Sequence, residues 1–429
     1  MSSTLIGRFA GGLARSRFTK NAAVLGGGTA LAQSILVLAS PLLTRLYLPA
    51  DMGLMGLYVS YFGFVTVAAS LRYETAIVSA PDRRQGAFLT FISMALPLPS
   101  SLVCAGVLYL LIRFSVLGFG HLPWFTALLV IPSVLLTGIF AALRYWFVRE
   151  ESLVTVSKAL VIQNGARSFL QVGFGALRWG WMGLIWGDIL GRGVGISRMF
   201  RGVWPVISSE VFPLKWKKIA EVLRFYRKFP IYSLPSALID ALAMSIPLPL
   251  IADLYGTDSA GHFSLVLRVL SLPLALVGTS VGDAFHGRMA THVREGPDGY
   301  ARFFYRTAGG LFLLGVVPAI LLVVFGEDIF RLVFGQNWTL AGKLATAMAP
   351  WTLAQLVVSP LSRVVYVLRG QELKLVYDLV SLSVTVGAVF IGHARGFTVF
   401  HTVLLLSIAN VFANGLYFIL LTRIVGRSQ

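Results

Sequence analysis

The sequence predicts an all-α integral membrane protein of about twelve transmembrane helices in two pseudo-symmetric six-helix lobes, and three observations carry that expectation. Apolar residues make up 56% of the 429 and charged residues 13%, with a mean hydropathy of +0.78, whereas soluble domains carry roughly 25% charged residues. The apolar residues gather into runs long enough to cross about 30 Å of hydrocarbon at about 1.5 Å per helical residue. The chain also repeats itself. A shift of 208 positions (261 minus 53) places Leu46-Tyr47 on Leu254-Tyr255 and Gly53 on Gly261, each time between two long apolar runs. A second half that re-enacts the first, with a site between the halves, is the layout of many secondary transporters.

Residues 1–20 form a basic tail holding Arg8, Arg15, Arg17 and Lys20, without the apolar core or small-residue cleavage site of a signal peptide, so none is expected. The N-lobe, residues 21–200, contains runs near 22 to 47, 54 to 79, 86 to 113, 122 to 148, 152 to 177 and 180 to 200. The first two make a hairpin about the turn LTRLYLPADMG, in which Pro49, Asp51 and Gly53 are turn formers. Gly26 to Gly28, and Pro97 with Pro99, favour bends. Gly183, Gly187 and Gly191 form a stripe that lets two helix backbones approach closely in lipid.

Residues 201–228 are the longest polar interruption. Lys215, Lys217, Lys218, Arg224, Arg227 and Lys228 alternate there with Trp216, Leu223 and Phe225, the pattern of an amphipathic helix lying on an anionic inner leaflet and linking the lobes. A docking site for a cytoplasmic partner is the alternative. The C-lobe, residues 229–429, contains runs near 229 to 253, 259 to 286, 304 to 325, 342 to 368, 374 to 393 and 398 to 422. With both termini in the cytoplasm, about 25 of the 36 Lys and Arg fall on cytoplasmic segments and about 6 on the other side. The net charge of +18 is therefore the positive-inside signature of a plasma membrane protein, and nucleic acid is not an expected partner.

The chain has one cysteine, Cys104, inside an apolar run, which excludes an internal disulfide and a cysteine-rich metal site. No Walker A, HExxH or GxSxG sequence occurs, and the longest external loop, 326–340, is too short for a catalytic domain. Neither an enzyme nor a bound cofactor is expected. What remains are ionisable groups at membrane depth, each costing at least about 2.5 kcal/mol at the bilayer centre and so each a candidate site. Arg167, Asp188, Asp240 and Arg268 count to mid-depth. Arg72, Glu74, Arg144, His286 and Arg363 lie nearer the cytoplasmic surface, where snorkelling is cheap.

Arg167 and Arg268 are too far from their span ends to snorkel. Each either faces a wet cavity as a phosphate ligand, for which a guanidinium fork is suited, or pairs with Asp188 or Asp240. Asp188 and Arg192, four apart, can pair on one helix. Asp240 has no such local partner and is the choice for a proton- or sodium-linked carboxylate. Arg45 falls on Asp253 under the repeat, which suggests an external gate pair. Gln33, Gln163, Asn164, Gln171, Gln355, Asn410 and Asn414 place amides within spans, suited to sugar hydroxyls or to interhelical bonds.

SPLLTRLYLPADMGLMGLY with LRYETAIVSAPD, ALRYWFVREESLVTVSKALVIQNGARSFLQVGFGAL with GLIWGDILG, and FGQNWTLAGKLATAMAPW with SPLSRVVYVL resemble the polysaccharide-biosynthesis flippases for O-antigen and capsule. These belong to the multidrug/oligosaccharidyl-lipid/polysaccharide exporter superfamily, and the resemblance spans residues 20–425. It implies alternating access and a cationic cavity for an undecaprenyl-pyrophosphate-linked oligosaccharide, within a bacterial inner membrane. It also implies pathway partners such as a polymerase and a chain-length protein. Candidate substrate ligands are then Arg167, Arg268, Gln33, Asn164 and Arg72. A multidrug antiporter of the same superfamily should instead show a carboxylate-dominated cavity, and a membrane polymerase or acyltransferase should show an acid/base cluster.

Overall fold

The computed structural model describes residues 24–213, 216–295, 300–368 and 371–427; the basic tail and Lys215 lie outside them. No strand occurs among the described residues. The N-lobe contains α1 (Val24–Leu46), α2 (Pro49–Val65), α3 (Arg83–Arg113), α4 (Thr126–Arg149), α5 (Leu153–Ala176) and α6 (Trp181–Gly193). Two shorter helices follow, α7 (Ile196–Val211) and α8 (Trp216–Phe225). The C-lobe contains α9 (Leu234–Ser245), α10 (Pro247–Glu295), α11 (Tyr300–Phe334), α12 (Thr339–Leu361), α13 (Gln371–Ala394) and α14 (Val399–Arg427).

Nine stretches among the described residues are long and apolar enough to cross a membrane, and one of them, Phe229–Gly278, holds two of the predicted spans. Gly256, at φ 83°, breaks that stretch where the second hairpin turns. The fifth and sixth predicted spans are α5 and α6. They are less apolar because α5 carries Lys158 and Arg167 while the 13-residue α6 carries Asp188 and Arg192. The side chains that weaken these helices as membrane spans are those that build the site below.

Local chemistry sets the helix ends. Pro49 begins α2, and Asp51 accepts from the Leu48 amide at 3.1 Å and from the Trp181 amide at 2.9 Å, so one carboxylate caps both α2 and α6. Two predicted spans end differently from expectation. The run from 54 to 79 is continuously α-helical only to Val65; after a tight turn at Thr66–Ala68, Leu71 and Arg72 adopt φ of 51° and 67° before a short helical turn at Tyr73–Ala76. Tertiary bonds hold that break, from Ser70 Oγ to the Ser93 carbonyl at 2.8 Å and from Tyr73 Oη to the Leu223 carbonyl at 3.1 Å. The run from 180 to 200 stops at Gly193, because Gly195 takes φ 85° and redirects the chain into α7. From there Met199, Val203, Ile207 and Val211 lay a one-sided buried stripe on the N-lobe.

The lobes join at the end that carries the two hairpin turns. There Gly53 of α2 and Gly261 of α10, the pair related by the repeat, meet backbone to backbone: a Cβ on Gly53 would overlap the Thr257 carbonyl oxygen, and one on Gly261 the Pro49 carbonyl oxygen. Trp338, fully buried, donates its indole N–H to the Thr44 carbonyl at 2.9 Å, and Ser60 Oγ donates to the Ser245 carbonyl. Gly53→Ala and Gly261→Ala should each force this crossing apart at a cost of about 1–3 kcal/mol. A clear fall in the midpoint of thermal unfolding of the purified protein is the expected reading, and wild-type stability in both variants would contradict the contact.

Candidate functional site

The glycine stripe on α6 brings it against α5. A Cβ on Gly187 would lie 2.7 Å from the Gln171 side chain, and one on Gly191 2.6 Å from Arg167 Cα. That approach sets Arg167 of α5 in an ion pair with Asp188 of α6, whose side chain is 0% exposed. Arg192, one turn further along α6, donates to the same carboxylate through Nε at 2.6 Å and Nη2 at 3.3 Å. Its Nη1 reaches Thr137 Oγ1 of α4 at 3.3 Å, and its guanidinium lies 4.1 Å from the centroid of the Phe62 ring of α2. Asn164 accepts from Arg167 Nη1 at 3.3 Å and donates its own amide to the Ala32 carbonyl of α1 at 3.0 Å.

From the other lobe, Arg268 lies within electrostatic range of Arg167 and Asp188. Among the described residues its side chain forms no ion pair or hydrogen bond. It lines a cavity of about 360 Å³ between α2 and the α9–α10 segment, otherwise bounded by Met55, Val59, Ser60, Met244 and Ser264. Two guanidinium groups thus hold one carboxylate and a third lies within electrostatic range of it, a net charge of +2 beside a hollow that crosses the lobe boundary. Such an excess is costly in hydrocarbon unless water or an anion faces it.

A second cavity, about 560 Å³, opens at the end opposite the hairpin turns. Arg72 lines it from the N-lobe and Lys228, Tyr232, Ser236 and Asp240 from the segment leading into and through α9. Arg72 also faces Glu74 at 3.8 Å. Asp240 has no ion pair on its own helix, but Asp378 of α13 lies within electrostatic range of it, and Asp378 is held by Lys374 at 2.7 Å. The i, i+4 spacing of Lys374 and Asp378 was legible as a helical ion pair, but its neighbour across the lobe was not.

Arg45 and Asp253 do not pair in this conformation: Arg45 is exposed, while Asp253 Oδ1 accepts from the Gly118 amide at 2.9 Å and so ties the loop after α3 to α10. The carboxylate spans the lobe boundary through a backbone donor instead of its repeat-related arginine. Most of the amides offered for sugar hydroxyls are already used. Asn410 and Asn414, 1% and 2% exposed, bond with Ser381, Thr385 and Tyr377 of α13, Gln163 donates to the Arg192 carbonyl, and Gln171 donates to that of Leu184. Asn164 positions Arg167. Gln33 and Gln355, both half-buried, make no side-chain hydrogen bond among the described residues.

Asp188→Asn should strip two buried guanidinium groups of their counter-charge and cost about 3–5 kcal/mol. Thermal unfolding should show a larger loss for it than for Lys374→Gln at the more accessible pair; an unchanged midpoint would mean that Asp188 is not the centre of the cluster.

A family model described as polysaccharide biosynthesis protein matches residues 42–342. Among solved structures, an inward-facing multidrug resistance MATE family transporter of the MOP superfamily aligns at 14% identity and TM-score 0.69, covering 92% of this chain and 95% of that one. The lipid II flippase MurJ, in an inward closed conformation, aligns at 14% identity and TM-score 0.69, covering 92% and 86%. An outward-facing MATE family transporter aligns at 15% identity and TM-score 0.57, covering 95% and 96%. At these identities the likeness is one of fold. No curated protein sequence matches the chain.

Proposed function

The chain belongs to the polysaccharide biosynthesis protein family, and from that premise we propose that it is a flippase, not an enzyme, that carries an undecaprenyl-pyrophosphate-linked oligosaccharide repeat unit across the bacterial inner membrane by alternating access. The observation that carries this reading is the unpaired Arg268 on the wall of the interlobe cavity, beside the Arg167–Asp188–Arg192 cluster. A pyrophosphate headgroup cannot enter hydrocarbon without replacement of its water. Guanidinium forks offer two aligned donors to phosphate oxygens, and in a low-dielectric cavity such bonds are about twice as strong as neutral ones. Gln33, close along α1 to the carbonyl that anchors Asn164, is the free amide best suited to a sugar hydroxyl.

The conformation fits a carrier caught with one end shut. If the positive-inside rule sets the orientation, the joined Gly53–Gly261 end is external and the cavity of Arg72 and Asp240 opens to the cytoplasm, where such a substrate is made. The higher score against the inward-facing relative than against the outward-facing one supports the same assignment. Asp240, sharing its environment with Asp378, is the candidate for proton or sodium coupling. A multidrug antiporter taking cationic substrates is the second reading, and three guanidinium groups against one carboxylate at the deep site weigh against it.

Arg268→Ala should abolish translocation while Arg268→Lys, which keeps charge but loses the fork, retains a remnant. The measurement is the leaflet distribution of single lipid-linked repeat units in cells lacking the native gene: the units should accumulate on the cytoplasmic leaflet in Arg268→Ala. Full transport by that variant would remove Arg268 from the substrate path and overturn the reading.

A further inference from the structure

The segment between the lobes is not a free linker. The apolar stripe of α7 (Met199, Val203, Ile207 and Val211) is at most 2% exposed, and α8 buries Ile219 and Tyr226. Both helices pack on the N-lobe at the end opposite the hairpin turns, where Tyr226 Oη donates to Gln85 Oε1 of α3 at 3.3 Å and Glu210 faces Arg84 at 3.9 Å. They therefore form a shelf fixed to that lobe. Residues 196–228 carry seven described Lys and Arg against two Glu, and none of the seven forms an ion pair among the described residues.

Beside this charge lies an aromatic floor. Phe200 stacks on Trp204 at 5.2 Å between ring centroids, Trp204 meets Phe212 at 6.1 Å, and Phe212 meets Phe91 of α3 edge-on at 5.9 Å. Trp204 and Phe212 remain 42% and 44% exposed, so the floor is open on one side. Phe91 sets its depth: it lies eight residues from the start of α3, about 12 Å in from that end, near the level where a bilayer passes from headgroups to chains. Ser197, Arg201, Trp204 and Ser208, spaced i, i+4, i+7 and i+11, share one side of α7. Arg201 is exposed and donates only its Nε, to the Ser197 carbonyl at 3.4 Å, so among the described residues both terminal nitrogens of its fork are unused. Arg198, also exposed and six residues before Trp204, is turned about a third of the helix circumference away from it.

We propose that this flank of α7 binds one anionic phospholipid, its phosphate held by the Arg201 fork and its acyl chains laid over Trp204, Phe212 and Phe91. A guanidinium matches phosphate oxygens in shape as well as charge, and an indole suits the boundary between a polar headgroup and apolar chains. The surplus of unpaired cations on the shelf selects an anionic headgroup over a zwitterionic one. A soluble acidic protein would meet the same charges but would leave the aromatic floor, which lies at lipid depth, uncovered. Because the shelf belongs to the N-lobe, a lipid held there ties that lobe to the membrane surface. The site is separate from both interlobe cavities and does not depend on which cargo they take.

The test is native mass spectrometry of the full-length protein in a neutral detergent, after incubation with phosphatidylglycerol or with phosphatidylcholine of the same chains. Wild type should retain the first phosphatidylglycerol about fivefold more strongly than phosphatidylcholine. Arg201→Gln, a mild change at an exposed position, should lower that retention about fivefold, while Arg198→Gln, which removes the same charge from the neighbouring face, keeps it. Trp204→Ala should also weaken retention, and Trp204→Phe should restore most of it. An excess of glycerol 3-phosphate should leave the lipid in place. Unchanged retention in Arg201→Gln would refute the proposal, and equal losses in Arg201→Gln and Arg198→Gln would replace the site with general attraction. Displacement by glycerol 3-phosphate would reduce it to a free-phosphate site without the aromatic floor. Equal retention of the two lipids by wild type would overturn it in favour of an acidic protein partner.

Discussion

The structure turns on one buried carboxylate. Asp188 has no exposure to solvent and stands between the guanidinium groups of Arg167 and Arg192. Removing Asp188 would leave two guanidinium charges that the bilayer interior tolerates poorly. The other contacts of these side chains radiate through the lobe: Asn164 ties Arg167 to α1, Thr137 ties Arg192 to α4, and Phe62 covers Arg192 from α2. Five helices therefore take their spacing from a single polar knot. The surplus positive charge beside it is held in a fixed place, by side chains whose freedom these contacts already restrict.

The junction between the lobes follows a different principle. Its closest contact uses no side chain at all, because Gly53 and Gly261 bring two backbones together, and its polar ties are single hydrogen bonds such as Trp338 to Thr44 and Asp253 to Gly118. Each such bond is worth only about 0.5–1.5 kcal/mol net, and helix packing in lipid depends on close fit more than on any hydrophobic gain. A junction made this way is closely fitted yet held by contacts that are individually weak. A salt bridge at the same place would be harder to reopen into a dry lipid boundary, which gives a reason for Asp253 to take a backbone donor while Arg45 stays exposed.

Much of this was legible in the residues. Apolar run length gave the helices, the 208-residue repeat pointed to Gly53 and Gly261 before any contact was known, and the α6 glycine stripe marked the close approach that delivers Asp188 to Arg167. Depth counting singled out Arg268 because an arginine that far from a span end needs a wet or charged neighbour. Pattern reasoning sees one helix at a time, so it could show that Asp240 has no partner along its own helix but not that Asp378 of α13 lies near it, and it could offer interhelical bonding for Asn410 and Asn414 without naming α13 as the partner. The break after Val65 was hidden because it is held by Ser93 and Leu223, distant along the chain, and not by a local glycine or proline.

The partners on neighbouring helices sharpen what the polar residues are for. Within the C-lobe the amides of Asn410 and Asn414 are spent on holding α14 to α13, with Tyr377 and Tyr417 stacked at 4.2 Å alongside. Satisfied groups of this kind give rigidity but no affinity, because a ligand would have to break bonds already made. Affinity must come from groups whose bonding capacity is unused, and among those are Arg268 in one cavity and Lys228 in the other. Both stand where the lobes face each other, so binding energy spent on them would act on the relative position of the lobes.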